Sequence, residues 1–168
     1  ATFRATGQTG VMIAGAGVAI DAVVADFVAG VAEQLSPDNA PEHWDVIEGQ
    51  GSLFHPAYAG VSLGLLHGSQ PDAFVLCHDP SRRHIESFPH MPIPALTDAI
   101  DAHLRAGRLT NASIRCAGIS INSSSMSPAT WRDYREHLAS ELGLPVVDPM
   151  RGGVGALADA ITRSQQQP

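Results

Sequence analysis

The sequence predicts an α/β fold, a parallel sheet flanked by helices on both faces. Three observations predict it. The strand-like segments are short and apolar without polar alternation, the pattern of strands covered on both faces. They alternate five times with segments of helical periodicity. Polar residues cluster just after each apolar run, where open α/β sheets hold their ligands.

The elements follow in order. Residues 2–6 read as a strand, followed by Gly7-Gln8-Thr9-Gly10 and a short apolar run over residues 11–14 broken by Gly15 and Gly17. Asp21 reads as the cap or first-turn residue of a helix over 22–35, whose Val23, Val24, Phe27, Val28, Val31 and Leu35 form one stripe. Trp44, Val46 and Ile47 form the next strand, ending on Glu48 and opening into Gly49-Gln50-Gly51. Residues 56–67 contain the returning helix, and 73–77 a fully apolar strand ending at His78-Asp79-Pro80. Four prolines, Pro80, Pro89, Pro92 and Pro94, mark 81–94 as a loop. A helix over 95–106 closes at Gly107, and a strand over 113–121 ends at Asn122. Ser127 before Pro128 starts a helix that ends at Leu142 before Gly143. Residues 144–147 are the last strand, ending at Asp148-Pro149, and 155–163 the last helix. No internal repeat or long linker appears, so 1–164 is expected to be one domain and 165–168 a frayed tail.

Composition narrows the function. The chain has 168 residues, enough for a core, with 44% apolar and 16% charged residues. A net charge of −7, with no basic face, argues against nucleic acid. No apolar run is long enough for a membrane span, and without a charged n-region followed by an h-region no signal peptide is expected. Cys77 and Cys116 each lie in an apolar run and are expected to be buried, reduced thiols of a cytoplasmic protein. All ten basic residues are arginine. Without lysine there is no Walker A motif, no Schiff-base lysine and no lysine base.

The candidate site residues stand at the strand ends. Glu48 and Asp21 suit a divalent cation bound through water, and Asp21 reads equally well as a helix cap. Asn122 offers a paired donor and acceptor for a purine edge or an amide, and is equally a turn residue. Arg151, followed by Gly152-Gly153, can clamp a carboxylate or phosphate, or can simply be a surface residue at a helix start. His55, between Phe54 and Pro56, is the histidine to test first as a general base. His103 and His137 are expected in solvent. No histidine pair has HExxH spacing and there is no CxxC, so a structural zinc site is not expected.

At this point the residues resemble a known family. TFRATGQTG, GVAIDAVVADFVAG and WDVIEGQGSLFHPAYAGVSLGLLHGSQPDAFVLCHDPSR are similar to the C-terminal domain of domain-of-unknown-function family sixteen-eleven, across nearly the whole chain. The resemblance implies a P-loop NTPase-like domain related to dethiobiotin synthetase, here lacking the first strand and the P-loop, from a protein about double this length. That would account for the missing lysine and for a chain that opens directly on a strand without Met. It implies Glu48 as the acid after the Walker B-type strand and Asp21 as the second magnesium acid. Gly7, Gln8, Thr9, Gly10, Gly49 and Gln50 would lie along the nucleotide or CoA. Asn122 would read the base, with Asp148 and Pro149 in the neighbouring loop.

Some members are N-acetyltransferases of D-amino acids such as D-glutamate, with acetyl-CoA as donor. On that reading Glu48 or His55 deprotonates the amine, and Arg4 or Arg151 pairs with its carboxylates. Two other readings stand beside it: an ATP- and Mg-dependent ligase or kinase, and a non-catalytic nucleotide-sensing or oligomerisation domain. The expected partner is a small-molecule substrate, in a homo-oligomer without nucleic acid or membrane. Sheet edges left bare by the absent strand would aggregate, which favours a working protein that carries it.

Overall fold

The computed structural model describes residues 3–163, so Thr2 of the first expected strand and the expected tail at 165–168 lie outside the described residues. The chain is α/β, and it divides into two compact units. One comprises residues 1–71 with 105–112, the other 72–104 with 113–168.

The second unit holds the parallel sheet. Its strands are β1 (Ala73–His78), β4 (Arg115–Ile121) and β5 (Val146–Val147), in the order β1-β4-β5. Between β1 and β4 lie an antiparallel hairpin, β2 (His84–Ile85) with β3 (Phe88–Pro92), and helix α4 (Leu96–Gly107). The register slips at Phe74/Val75, so Cys116 and Gly118 face consecutive residues of β1. Neighbouring residues of a strand point to opposite faces, and β4 is covered on both. Ile119 and Ile121 pack with Val146 against Trp131 and Leu138 of α5 (Pro128–Leu142), with Leu96 and Ile100 of α4 beside them. On the other side Leu157 of α6 (Gly155–Arg163) lies over Gly118, where a Cβ would stand 2.4 Å from its Cδ2.

Helix α5 starts where the sequence places it. Ser127 Oγ accepts the Thr130 N–H at 3.1 Å, and Pro128 occupies the first turn, where its missing N–H costs nothing. The expected loop at 81–94 is instead partly ordered as the β2–β3 hairpin. Pro89 and Pro92 fall in a two-stranded ribbon, whose edges tolerate a missing donor.

The first unit departs further from expectation. Residues 11–14 belong to α1 (Gln8–Ala14): the Val11 N–H reaches the Gly7 carbonyl at 2.9 Å, and a four-residue apolar run does not by itself distinguish strand from helix. The expected first strand is reduced to one parallel bridge, Ala5 to Gly17. The helix expected from residue 22 starts only at Val28. Two 3-10 turns, Ile20–Ala22 and Ala25–Phe27, precede α2 (Val28–Leu35), and Asp21 sits in the first of them without capping it. Residues 44–47 form no strand. Composition supplied the apolar side chains, but a strand also needs a ladder partner, and among the described residues this segment has none; Val46 is 95% exposed. The unit's core lies between α2 and α3 (Ala59–Ser69), with Ile20, Val28, Ala32 and Leu65 buried. The helices approach closely at Gly68, where a Cβ would fall 2.0 Å from the Ala29 carbonyl oxygen.

Both cysteines are free, and Cys77 is exposed rather than buried, because it points away from the packed face of a strand at the sheet edge. His103 is likewise not in solvent. It stacks on Phe74 and its Nδ1 meets the Ala99 carbonyl at 2.7 Å, whereas the His137 side chain is largely exposed. No helix of the described residues is long and apolar enough to cross a membrane.

Candidate functional site

In the second unit the parallel strands end together, and their polar residues form one connected set. Asn122 follows β4 directly, and its backbone N–H continues the ladder to the His78 carbonyl at 2.9 Å. Its side chain is exposed and held at both ends. Nδ2 donates to Asp79 Oδ2 at 3.2 Å, and Oδ1 accepts the Ser124 N–H at 3.2 Å. Asp79 Oδ1 in turn accepts from the Ser81 hydroxyl at 2.6 Å and the Ser81 N–H at 3.0 Å. These Ser81 bonds, the hydroxyl's first, hold the Asp79 carboxyl below its usual range, with the Arg82 guanidinium adding to them. Burial lowers the neighbouring His78 below its usual value, partly offset by Asp79.

One residue on, the side chains turn inward. Ser123 is fully buried and its hydroxyl donates to Asp148 Oδ2, which also accepts the Ser123 N–H at 3.1 Å. Asp148 Oδ1 accepts the Met150 N–H at 2.8 Å. Burial pushes the Asp148 carboxyl up. The hydrogen bonds from Ser123 and Met150, with Arg151 nearby, outweigh burial and hold it below the usual range. Arg151 completes the junction: Nη2 donates to the Ser123 and Met126 carbonyls at 3.0 and 2.7 Å, and Nε lies 3.8 Å from Asp148. Its guanidinium thus pins the loops after β4 and β5 to each other. Pro149 is exposed beside it.

Beyond Asp148 lies a cavity of about 490 Å³, within the range of small-molecule sites. Trp131, Val146 and Ala139 give it an apolar wall, Arg135 and Glu136 a charged rim, and Gly152, Gly153 and Gly155 an open side at the start of α6.

The first unit holds the other sequence candidates. Glu48 is exposed, next to Gly49. Gln50 donates from Nε2 to Thr6 Oγ1 at 3.2 Å, and its carbonyl accepts the Ser62 hydroxyl. His55 is 9% exposed and lies against Tyr58, ring centroids 4.5 Å apart; its Nδ1 accepts the Ala57 N–H at 3.2 Å, so that nitrogen is already engaged. Gly7, Gln8, Thr9 and Gly10 lead into the short helix α1, and Gln8 and Thr9 are exposed. Asp21 is exposed in its 3-10 turn. Arg4 donates from Nη1 to the Leu35 carbonyl at 2.7 Å. Among the described residues, no three His, Cys, Asp or Glu side chains group as metal ligands.

Asp79 and Ser123 stand at strand ends in the sequence, in His78-Asp79 and Asn122-Ser123, but neither has a role assigned there. Both look like ordinary turn residues after an apolar strand, and only the three-dimensional pairing of Asp79 with Asn122 and of Ser123 with Asp148 separates them from their neighbours.

A family profile described as the P-loop domain of a domain of unknown function (DUF1611_C) matches residues 1–158. A D-glutamate N-acetyltransferase of Pseudoalteromonas sp is 53% identical over 155 residues, 92% of this chain and 47% of that protein. Another, of Tritonibacter scottomollicae, is 48% identical over 160 residues, 95% of this chain and 48% of that protein. The crystal structure of a DUF1611 family protein from Anabaena variabilis matches with a TM-score of 0.83 and 39% identity, covering 96% of this chain and 48% of that one. The chain spans about half the length of the relatives it matches.

Proposed function

The chain belongs to the DUF1611 family, in its C-terminal P-loop domain, and from that premise we propose that it serves an N-acetyltransferase acting on a D-amino acid such as D-glutamate, with acetyl-CoA as acetyl donor. The identity of about half of its residues to two proteins of that name carries the reading.

The chemistry asks for three things. The amine must lose a proton before its nitrogen attacks the thioester carbonyl carbon. The C–S bond then breaks, and CoA leaves as the thiol. A base is therefore needed, together with a hold on the CoA nucleotide and a hold on the amino acid carboxylates. Glu48 is the leading base, since its carboxylate is exposed whereas His55 has committed Nδ1 to a backbone N–H.

For the nucleotide part of CoA, the exposed amide of Asn122 supports base recognition, and the Asp148–Pro149 loop forms the neighbouring wall. The cavity beyond Asp148 supplies an aromatic side and the Arg135 cation, chemistry that suits a nucleotide. Arg4 or Arg151 remains the proposed carboxylate partner, through the N–H groups left beyond its present carbonyl bonds.

The test is thiol release by the full-length protein given acetyl-CoA and D-glutamate, with L-glutamate and chelator as controls. Release that requires the D-isomer and survives chelation is the expected result. A product that forms only with Mg-ATP would replace this reading with the ligase or kinase, in which Asp21 and Glu48 serve magnesium.

A further inference from the structure

We propose that Asp79 is a positioning residue that fixes which way the Asn122 amide faces, and so sets the donor–acceptor pattern offered to the nucleotide of the acyl donor; this rests on the reading of Asn122 given above.

An asparagine amide has two ends of nearly equal size and opposite hydrogen-bonding sense. At Asn122 the surroundings distinguish them. The Asp79 carboxylate can only accept, and it meets Nδ2 at 3.2 Å; the Ser124 backbone N–H can only donate, and it meets Oδ1 at 3.2 Å. Turning the amide over would set oxygen against carboxylate oxygen and N–H against N–H, two repulsive contacts in place of two bonds. Asp79 is itself held by the Ser81 hydroxyl at 2.6 Å and the Ser81 N–H at 3.0 Å, with Arg82 Nε 3.9 Å away. The carboxylate is thus a fixed reference.

The lock leaves part of the amide unspent. Asparagine has two N–H donors and two lone pairs on its oxygen. One donor goes to Asp79 and one lone pair to Ser124, so one N–H and one lone pair remain on an exposed side chain. A donor beside an acceptor is what the edge of an adenine requires. An amide free to turn would present the complementary pattern for only part of the time. The bond between Asp79 and Asn122 is open to water and adds little to stability, so its effect falls on orientation.

The experiment compares two acyl donors on the full-length protein: acetyl-CoA, and acetyl-pantetheine, which lacks the nucleotide. In Asp79→Asn the isosteric replacement can turn to suit either face of Asn122, and the lock is lost. The expected result is a rise in KM for acetyl-CoA of about 3- to 10-fold, the effect of one hydrogen bond, with kcat unchanged and with acetyl-pantetheine unaffected. Ser81→Ala, which loosens the anchor, moves the same parameter in the same direction by less, and it keeps the test available if Asp79→Asn folds poorly. In an Asn122→Ala background, Asp79→Asn should add nothing, because its effect passes through the amide.

Equal losses with both donors, a fall in kcat, or additivity with Asn122→Ala would each overturn the proposal. If Asn122→Ala discriminates between the donors and neither Asp79→Asn nor Ser81→Ala does, the positioning role falls while the reading of Asn122 stands. If Asn122→Ala does not discriminate, both fall.

Discussion

The two units bury their apolar side chains very differently. In the second, Ile119, Ile121, Trp131, Leu138 and Val146 form a closed core between strands and helices, and among its described residues only Met150 and Val154 are large, apolar and exposed. In the first, a small core between α2 and α3 coexists with exposed Phe3, Met12, Ile13, Phe27 and Val46. Apolar pattern states what a segment would bury. Whether it does so depends on a partner, and the two units differ in how many of their apolar segments have one.

The largest expected effect contrasts the cores. Trp131→Ala should lower the unfolding free energy by about 3–5 kcal/mol, since it empties the centre of the second unit. Phe27→Ala, at a side chain 65% exposed, should stay within about 0.5 kcal/mol. Denaturant titration of both variants measures this, and comparable losses would erase the contrast.

Next comes the buried junction of the second unit. Asp148→Ala leaves the Ser123 hydroxyl and the Ser123 and Met150 N–H groups without their acceptor, and should cost about 3 kcal/mol. The same carboxylate gives a pH signature. Its pKa is lower folded than unfolded, so the unfolded chain takes up the proton first as pH falls. Its stabilisation is complete at neutral pH, declines as pH drops through about 3.9, the usual carboxylate value, and is gone below the folded pKa. The difference in stability between wild type and Asp148→Ala should therefore shrink on acidification. A difference that persists unchanged to pH 2 would contradict this account.

The smallest effect sharpens the comparison at a single helix end. Ser127→Ala removes the side-chain cap of α5 and should cost about 1 kcal/mol by thermal melting. No helix of the first unit has a side-chain cap to lose.

What was legible in the sequence follows the same division. Helix α5 appears at its expected bounds because Ser127, Pro128 and Gly143 are local signals, complete within the segment. The strands β1 and β4 were legible because their apolar runs are continuous, and β4, the central strand, is covered on both faces, whereas β1 at the edge leaves Cys77 exposed. The segment at 44–47 is apolar at three of its four positions and failed as a strand, because ladder bonds are not written in composition. Val11 to Ala14 were legible only as a short apolar run, because four apolar residues fit either period, and the Gly7 carbonyl decided for the helix.

The site was legible in part. Asn122 and Asp148 stand out as polar residues ending apolar strands, and the structure joins each to a partner. The partners themselves, Asp79 and Ser123, also stand at strand ends, but which side chain each of them meets is not written in the local sequence. Arg151 was legible as a cation after a strand, but its bonds to two carbonyls depend on how the loops meet.

The most direct test of the central claim is amide hydrogen exchange of the full-length protein with and without acetyl-CoA. The account predicts slowed exchange after the three parallel strands, at residues 78–82, 122–127 and 148–155. No protection in those three loops at saturating acetyl-CoA would contradict it.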